Sequence, residues 1–286
     1  MINPRILRRR IRSIESTAKI TRAMEMIATA KMRRTQEQAI AGRPYADRIS
    51  QIITDLAAAS RMNGAAIHPL LQRREVNKIA IVHITTDRGL CGGLNANLNR
   101  LVASFILEQS VPVALITVGR KGRDFMRSYQ RDIGAEFTGI GDRPTLLDIL
   151  PIAHIVIEDY ANGDVDLVYI AYPQFVSTMV QHPTLQPLLP IEPAVIPQVQ
   201  NVEYIYEPAP DFVLAQLLPR FVEMEIYHAI LEAIASEQSA RMVAMRNASE
   251  NANELIEDLT LTLNKARQEI ITKELLDITG GAEALT

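Results

Sequence analysis

The chain has 286 residues, 48% hydrophobic and 22% charged, with 30 basic and 33 acidic side chains and a net charge of −3. That balance excludes bulk electrostatic binding to nucleic acid, and the length allows one large or two modest cores. A single cysteine, Cys91, excludes an internal disulfide and a cysteine zinc cluster, and the longest apolar runs, 79–84 and 113–118, are too short to cross a bilayer.

The Arg-rich start MINPRILRRRIRSIE lacks a secretory apolar core and runs straight into a helical pattern, so it is expected to belong to the mature protein. Leu7, Ile11, Ile14 and Ala18 step by 4, 3 and 4, the spacing of a heptad seam. Ile20, Met24 and Ile27 are expected to carry the apolar face on to about Gly42. Pro44 is expected to kink or end this helix, with a continuation through Ile49, Ile52, Ile53 and Leu56.

From about 76 to 207 short β-branched runs alternate with helical stretches, the texture of an α/β domain. The spacing predicts strands at 76–86, 111–119 and 164–173, a weaker strand near 135–138 and another from Phe175. Helices are predicted over 94–109, over KGRDFMRSY (121–129) and from about Thr145 to Tyr160. Proline-rich text from Pro183 to Pro197 then leads through EYIYEP (203–208) into the last helix.

Residues 220–279 hold neither Gly nor Pro, where average usage would place about seven, so one uninterrupted helix is predicted. Leu231, Ala235, Gln238, Met242, Met245, Ser249, Ala252, Ile256, Leu259, Leu263, Ala266 and Ile270 step by 4 and 3 throughout. Such a helix would be roughly 90 Å long against roughly 50 Å for a compact globule of this size, so it is expected to protrude and to need a partner. The N-terminal helix supplies one. Residues 1–48 carry 12 basic and 4 acidic side chains, and residues 207–286 carry 6 and 14, opposite signs that favour pairing. The expected fold class is thus α/β: a long antiparallel two-helix coiled coil formed by the two chain ends, plus a central Rossmann-like domain. The expected divisions are 1–60, 61–207 and 208–286.

Chemistry is harder to find. TTDRGLCGGLN (85–95) puts a Gly-rich loop between a buried strand and a helix, where backbone N–H groups could hold an anion. It has neither a P-loop ending nor the three-glycine dinucleotide fingerprint, and the favoured reading is a tight turn that leaves Asp87, Arg88 and Cys91 exposed for contact. GIGDRP (139–144) lacks a third glycine, and GRKG (119–122) matches a nucleic-acid-gripping turn only in letters. The five histidines form no metal-ligand spacing, and no nucleophile motif is present. A rod without chemistry transmits or spaces.

Several strings now carry a resemblance. KITRAMEMIATAKM (19–32), RPYA (43–46), TTDRGLCGGLN, ASEQSARMVAMRNASENA (235–252) and NKARQEIITKELLDITGGAEAL (264–285) resemble, in order and spacing, the gamma subunits of rotary F-type ATP synthases. The resemblance implies a non-catalytic central-stalk rotor that couples proton flow through the membrane c-ring to ATP synthesis at beta-subunit sites, with no cofactor of its own. It implies alpha, beta, delta and epsilon subunits and the c-ring as partners, one copy per complex, no nucleic acid, and a peripheral place on the cytoplasmic face of a bacterial plasma membrane. By residue, it implies that Arg267 and Gln268 hydrogen-bond a beta-subunit loop, and that Asp87, Arg88 and Cys91 lie near the acidic lobe of beta. Met24 matches a position near the same lobe, with simple rod packing as the equal alternative, and Lys19, Arg22, Lys31, Arg33 and Arg34 suit an acidic partner. The tail GGAEALT is expected in a bearing-like sleeve, and without a redox cysteine pair no thiol switch is expected. Two other readings stand beside it: a nucleotide-binding α/β protein with a helical arm, and a coiled-coil adaptor that grips nucleic acid with its basic helix.

Overall fold

The computed structural model describes residues 3–62, 68–191 and 209–283. They fall into two compact units, Met1–Ala28 with Arg241–Thr286, and Thr29–Ala240. Helix α1 (Pro4–Met62) and helix α5 (Pro210–Glu283) each contribute to both.

The larger unit is built on a five-stranded sheet of β1 (Ile79–Ile84), β2 (Val113–Val118), β3 (Ile133–Phe137), β4 (Leu167–Phe175) and β5 (Gln181–Leu189), in the order β3-β2-β1-β4-β5. The first four are parallel, joined by α2 (Leu94–Glu108), α3 (Arg120–Ser128) and α4 (Leu146–Asn162). The order reverses direction at β1 and β4, which puts α2 and α3 on one face and α4 on the other, a doubly wound arrangement. All six residues of β1 are buried because both faces are covered. Ala80, Val82 and Ile84 join α4, α5 residues such as Val222 and Ile226, and Ile49 and Ile53 of α1; Ile79 and Ile81 join Leu98, Val102 and Met126 of α2 and α3. α4 is started by Asp148, whose Oδ2 accepts from the Thr145 amide at 2.7 Å; that bond holds the carboxyl below its ordinary range.

Three expectations change. Pro183 and Pro187 lie inside β5 instead of in a connection, since β5 pairs antiparallel with β4 on one side only and an edge strand tolerates missing donors. The strand expected from Phe175 therefore begins at Gln181, after a hairpin turn pinned by Ser239 Oγ donating to Thr178 O at 2.7 Å. α1 does not end at Pro44 but runs on through Ile49 and Ile53, the expected continuation, while α5 starts at Pro210, in line with the expected division at 208, and keeps Pro219 inside it. In both places flanking apolar residues are buried on the sheet, Ile49 and Ile53 beyond Pro44 and Leu214, Leu218 and Val222 around Pro219, and that burial outweighs the lost helix bond of about 3 kcal/mol. The EYIYEP stretch and most of the proline-rich text lie outside the described residues.

In the smaller unit α1 and α5 pack antiparallel along a seam. Met242, Met245, Ser249, Ala252 and Ala266 are buried, and Ile256, Leu259, Leu263 and Ile270 are half-buried, all at the expected heptad places. On α1, Leu7 and Ala18 are buried and Ile11 and Ile14 half-buried. Beyond Ala18, however, the seam runs through Thr21, Glu25 and Ala28, whereas Ile20 and Ile27 are 61% and 56% exposed. A 4-3 step from Ala18 reaches residues 21 and 25; residue 20 is about 200° around the helix and points away. Glu25, 6% exposed, accepts from Arg246 Nε at 3.0 Å and from Arg22 Nη1 at 2.9 Å. A buried charge held from both helices penalises any slip in register, as a polar seam residue does in coiled coils.

His83 sits on the α2/α3 face of β1, fully buried, and neither ring nitrogen has a partner among the described residues. Desolvation lowers its pKa from 6.5 to about 4, so the ring is neutral in the folded chain. Between these values the unfolded chain binds the extra proton, and stability must fall as pH drops from 6.5 towards 4, by about 3 kcal/mol in all. His83→Leu is expected to abolish most of that dependence. Urea midpoints of the α/β unit at pH 7 and pH 4.5 check it; an unchanged difference in the variant sinks the assignment.

Candidate functional site: a loop cluster and a rod face

At the C-terminal ends of β1, β2 and β3 three loops are tied by one carboxylate. Asp87 Oδ1 accepts from the Arg120 amide at 3.0 Å, and Oδ2 accepts from the Gly139 amide at 2.8 Å. The Arg120 guanidinium adds an ion pair at 3.6 Å. Asp87 therefore holds the cluster together, and its carboxylate is spent inside the domain.

Behind it the Gly-rich loop closes on the first turn of α2. Asn95 Nδ2 donates to Thr86 Oγ1 at 2.8 Å and to Cys91 Sγ at 3.3 Å, and Asn95 Oδ1 accepts from the Thr86 amide. Cys91 is 2% exposed, which corrects the expectation of an exposed thiol: its side chain points inward to satisfy Asn95 and packs under the loop. Arg88 is exposed as expected. The residue that the sequence reading missed is Leu90. It is 62% exposed at a left-handed φ of 64°, a conformation that costs a leucine about 1 kcal/mol. A bulky apolar residue between Gly89 and Cys91 was the available signal. This geometry ties Thr86, Cys91 and Asn95 to one another beneath an exposed apolar tip at Leu90.

The two weak glycine motifs have structural work. Gly119, at φ 94°, and Gly122 let α3 lie against the end of β1: Gly122 N donates to Thr85 Oγ1 at 2.8 Å, and a Cβ at Gly122 would stand 2.9 Å from His83 Cε1. In GIGDRP, Asp142 accepts from Gln238 Nε2 at 3.2 Å and pairs with Lys31, so Lys31 is engaged within its own unit. Gln238, the polar break in the predicted seam, is thereby explained.

On the rod, Arg267 and Gln268 are exposed on the turn that buries Ala266, so their side chains face away from the seam. Met24 is half-buried, Lys19 is exposed, and Arg22 reaches Glu25. Arg33 pairs with Glu37 at 3.4 Å. Outward from the seam stand Ile20, Met26 and Ile27 of α1 and Leu261, Ile271 and Leu276 of α5, each more than half exposed. Side chains 280–286 lie outside the described residues. No group of three or more His, Cys, Asp or Glu among the described residues is arranged to hold a metal ion.

The comparisons with known proteins agree on one family. A family model described as ATP synthase matches residues 3–285. The ATP synthase gamma chain of Dehalococcoides mccartyi strain CBDB1 is 60% identical over 285 residues, covering 100% of both chains. That of Herpetosiphon aurantiacus is 49% identical over 294 residues, covering 100% of this chain and 99% of the relative. Among solved structures, the Euglena gracilis mitochondrial ATP synthase in its OSCP/F1/c-ring assembly contains a chain similar in fold, with a TM-score of 0.68 at 20% identity, covering 99% of this chain and 94% of that one. A chain of the central stalk and c-ring of the Tetrahymena thermophila mitochondrial enzyme matches with a TM-score of 0.64 at 24% identity, over 80% of this chain and 99% of its own length.

Proposed function

The chain belongs to the ATP synthase gamma chain family, and on that premise we propose that it is the torque-bearing shaft of a rotary F-type enzyme. As a gamma chain it is a non-catalytic stalk subunit. Proton flow turns a membrane c-ring, the shaft turns with it, and an asymmetric rod presents a different face to each of three beta subunits. Differential contacts then bias open against closed conformations and so change nucleotide affinity. Alpha and beta subunits surround the rod, epsilon and delta complete the assembly, one copy serves each complex, and the seat is the cytoplasmic face of a bacterial membrane. No described helix is long and apolar enough to cross a membrane itself.

The observation that carries this reading is the rod unit. Its seam is continuous and locked by Glu25 and Arg246, yet its outer faces carry large exposed apolar side chains, a surface suited to a surrounding sleeve. Arg267 and Gln268 supply orientation-dependent polar contacts to a beta subunit, Met24 flanks the acidic lobe, and Asp87, Arg88 and Cys91 shape the lower rim, with Arg88 and Leu90 making the contact.

The test is Arg267→Ala with Gln268→Ala in the assembled enzyme. Both side chains are exposed, so folding and assembly are expected to be unchanged, while rotation-coupled ATP turnover falls about 10-fold or more, the loss of two hydrogen bonds to charged or polar partners. Undiminished turnover removes the pair from the contact surface; failure of the chain to assemble with alpha and beta subunits overturns the shaft itself.

A further inference from the structure

The α/β unit has a groove that the shaft reading does not use. It lies between α2 and α3, with a volume of about 630 Å³. α2 lines it with Asn95, Asn99, Ala103 and Leu107, one residue from each successive turn, and facing them at the same spacing are Lys121 and Phe125 of α3 and Tyr129, which caps its C-terminal end. The groove therefore follows about 18 Å of α2.

Its chemistry is one-sided. Arg100, Lys121 and Arg131 line it, all exposed, and none of its described lining residues is acidic. None of these three cations forms an ion pair with a described residue, although their neighbours do: Arg120 pairs with Asp87, and Arg123 and Arg127 pair with Glu136. The floor is apolar, with Met126 buried, Phe125 half-buried and 4.8 Å from Tyr129 between ring centroids, and Leu107 72% exposed at the far end. Asn99 is 5% exposed, and its Oδ1 has no partner among the described residues.

We propose that this groove docks an acidic amphipathic helix of a partner protein. A ridge of apolar side chains would lie over Ala103, Phe125 and Leu107, and flanking carboxylates would meet the three cations. The match is one of charge and of length: cations stand along an apolar trough about three helical turns long. A small anion would occupy one end and leave the apolar length bare. The groove belongs to the α/β unit and stands or falls separately from the shaft assignment.

The chain contains no tryptophan, so a Trp placed on a probe peptide reports binding without background. The probe is a stapled helix of about 14 residues with Leu along one face and Glu on its flanks, titrated into the full-length chain at low salt. Binding at about 10–100 µM is expected, weakening as salt is raised. Arg100→Glu with Arg131→Glu, both at exposed positions, should weaken it at least about 10-fold, and the peptide with Lys for Glu should not bind. The proposal is overturned if the acidic peptide fails to bind at about 1 mM or binds the charge-reversed groove equally well. It is also overturned if tripolyphosphate binds more tightly and displaces the peptide, which would make the groove a small-anion site.

Discussion

Gly119→Ala is expected to unfold the α/β unit at temperatures where the wild-type chain is intact. A Cβ at this position would stand 2.2 Å from the Thr85 carbonyl oxygen and 2.7 Å from its carbon, atoms of the backbone that cannot rotate away. The residue also has φ 94°, outside the regions open to an L side chain. Thr85 cannot retreat easily, because its amide donates to Val118 O at 2.7 Å and its hydroxyl accepts from the Gly122 amide at 2.8 Å. Clash and backbone strain act together at the junction where β2 hands over to α3, and a loss of more than about 4 kcal/mol is expected. Gly141→Ala is the control, since nothing lies within 4 Å of its Cβ, and it should cost less than about 0.5 kcal/mol. Amide hydrogen exchange in β1 and β2 separates the two: protection in the Gly119 variant equal to that of the control would contradict the close approach described above.

Met245→Asp is expected to open the rod. Met245 is 5% exposed on the seam, between Met242 and Ser249, which are also buried. A carboxylate there loses its water and must either break the seam or stay uncharged, at a cost of about 3–5 kcal/mol. Arg241, one turn earlier, is buried and already held by an interaction of its own, so it is not free to neutralise the new charge. Leu261→Asp, at a position 69% exposed, puts the same charge on the outside of the same helix and should leave the seam intact. In reconstituted vesicles ATP synthesis driven by a proton gradient should fall at least about 10-fold for Met245→Asp. The two variants differ only in the face that carries the charge. Equal exchange protection of residues 242–256 in both would mean that the seam does not hold the rod.

Polar seam residues show where sequence reasoning succeeds and where it stops. On α5 the 4-3 pattern predicted Gln238 and Ser249 as seam members, and both are buried. On α1 the apolar residues expected to carry the face beyond Ala18, Ile20 and Ile27, are exposed. Continuing the step would have led to Thr21, Glu25 and Ala28. Helical phase, and not side-chain hydrophobicity, decides which residues of α1 reach the seam. Asp87, Arg88 and Cys91 share a loop in the sequence. The fold separates them into a clamp, an exposed cation and a buried thiol, and it puts Leu90 at the tip.

Local order was legible by itself. The absence of Gly and Pro over 60 residues, the heptad step and the alternation of strands with helices depend on backbone freedom and side-chain period, which neighbours in the chain settle. Tertiary structure alone decided that β4 lies beside β1, that Pro183 and Pro187 sit on an edge strand, and that α1 passes Pro44. It also decided that Asp142 binds Gln238 and that Asn99 lines a groove of unpaired cations. Those outcomes hinge on which distant surfaces become buried together, and burial is a property of the packed whole that no window of sequence contains.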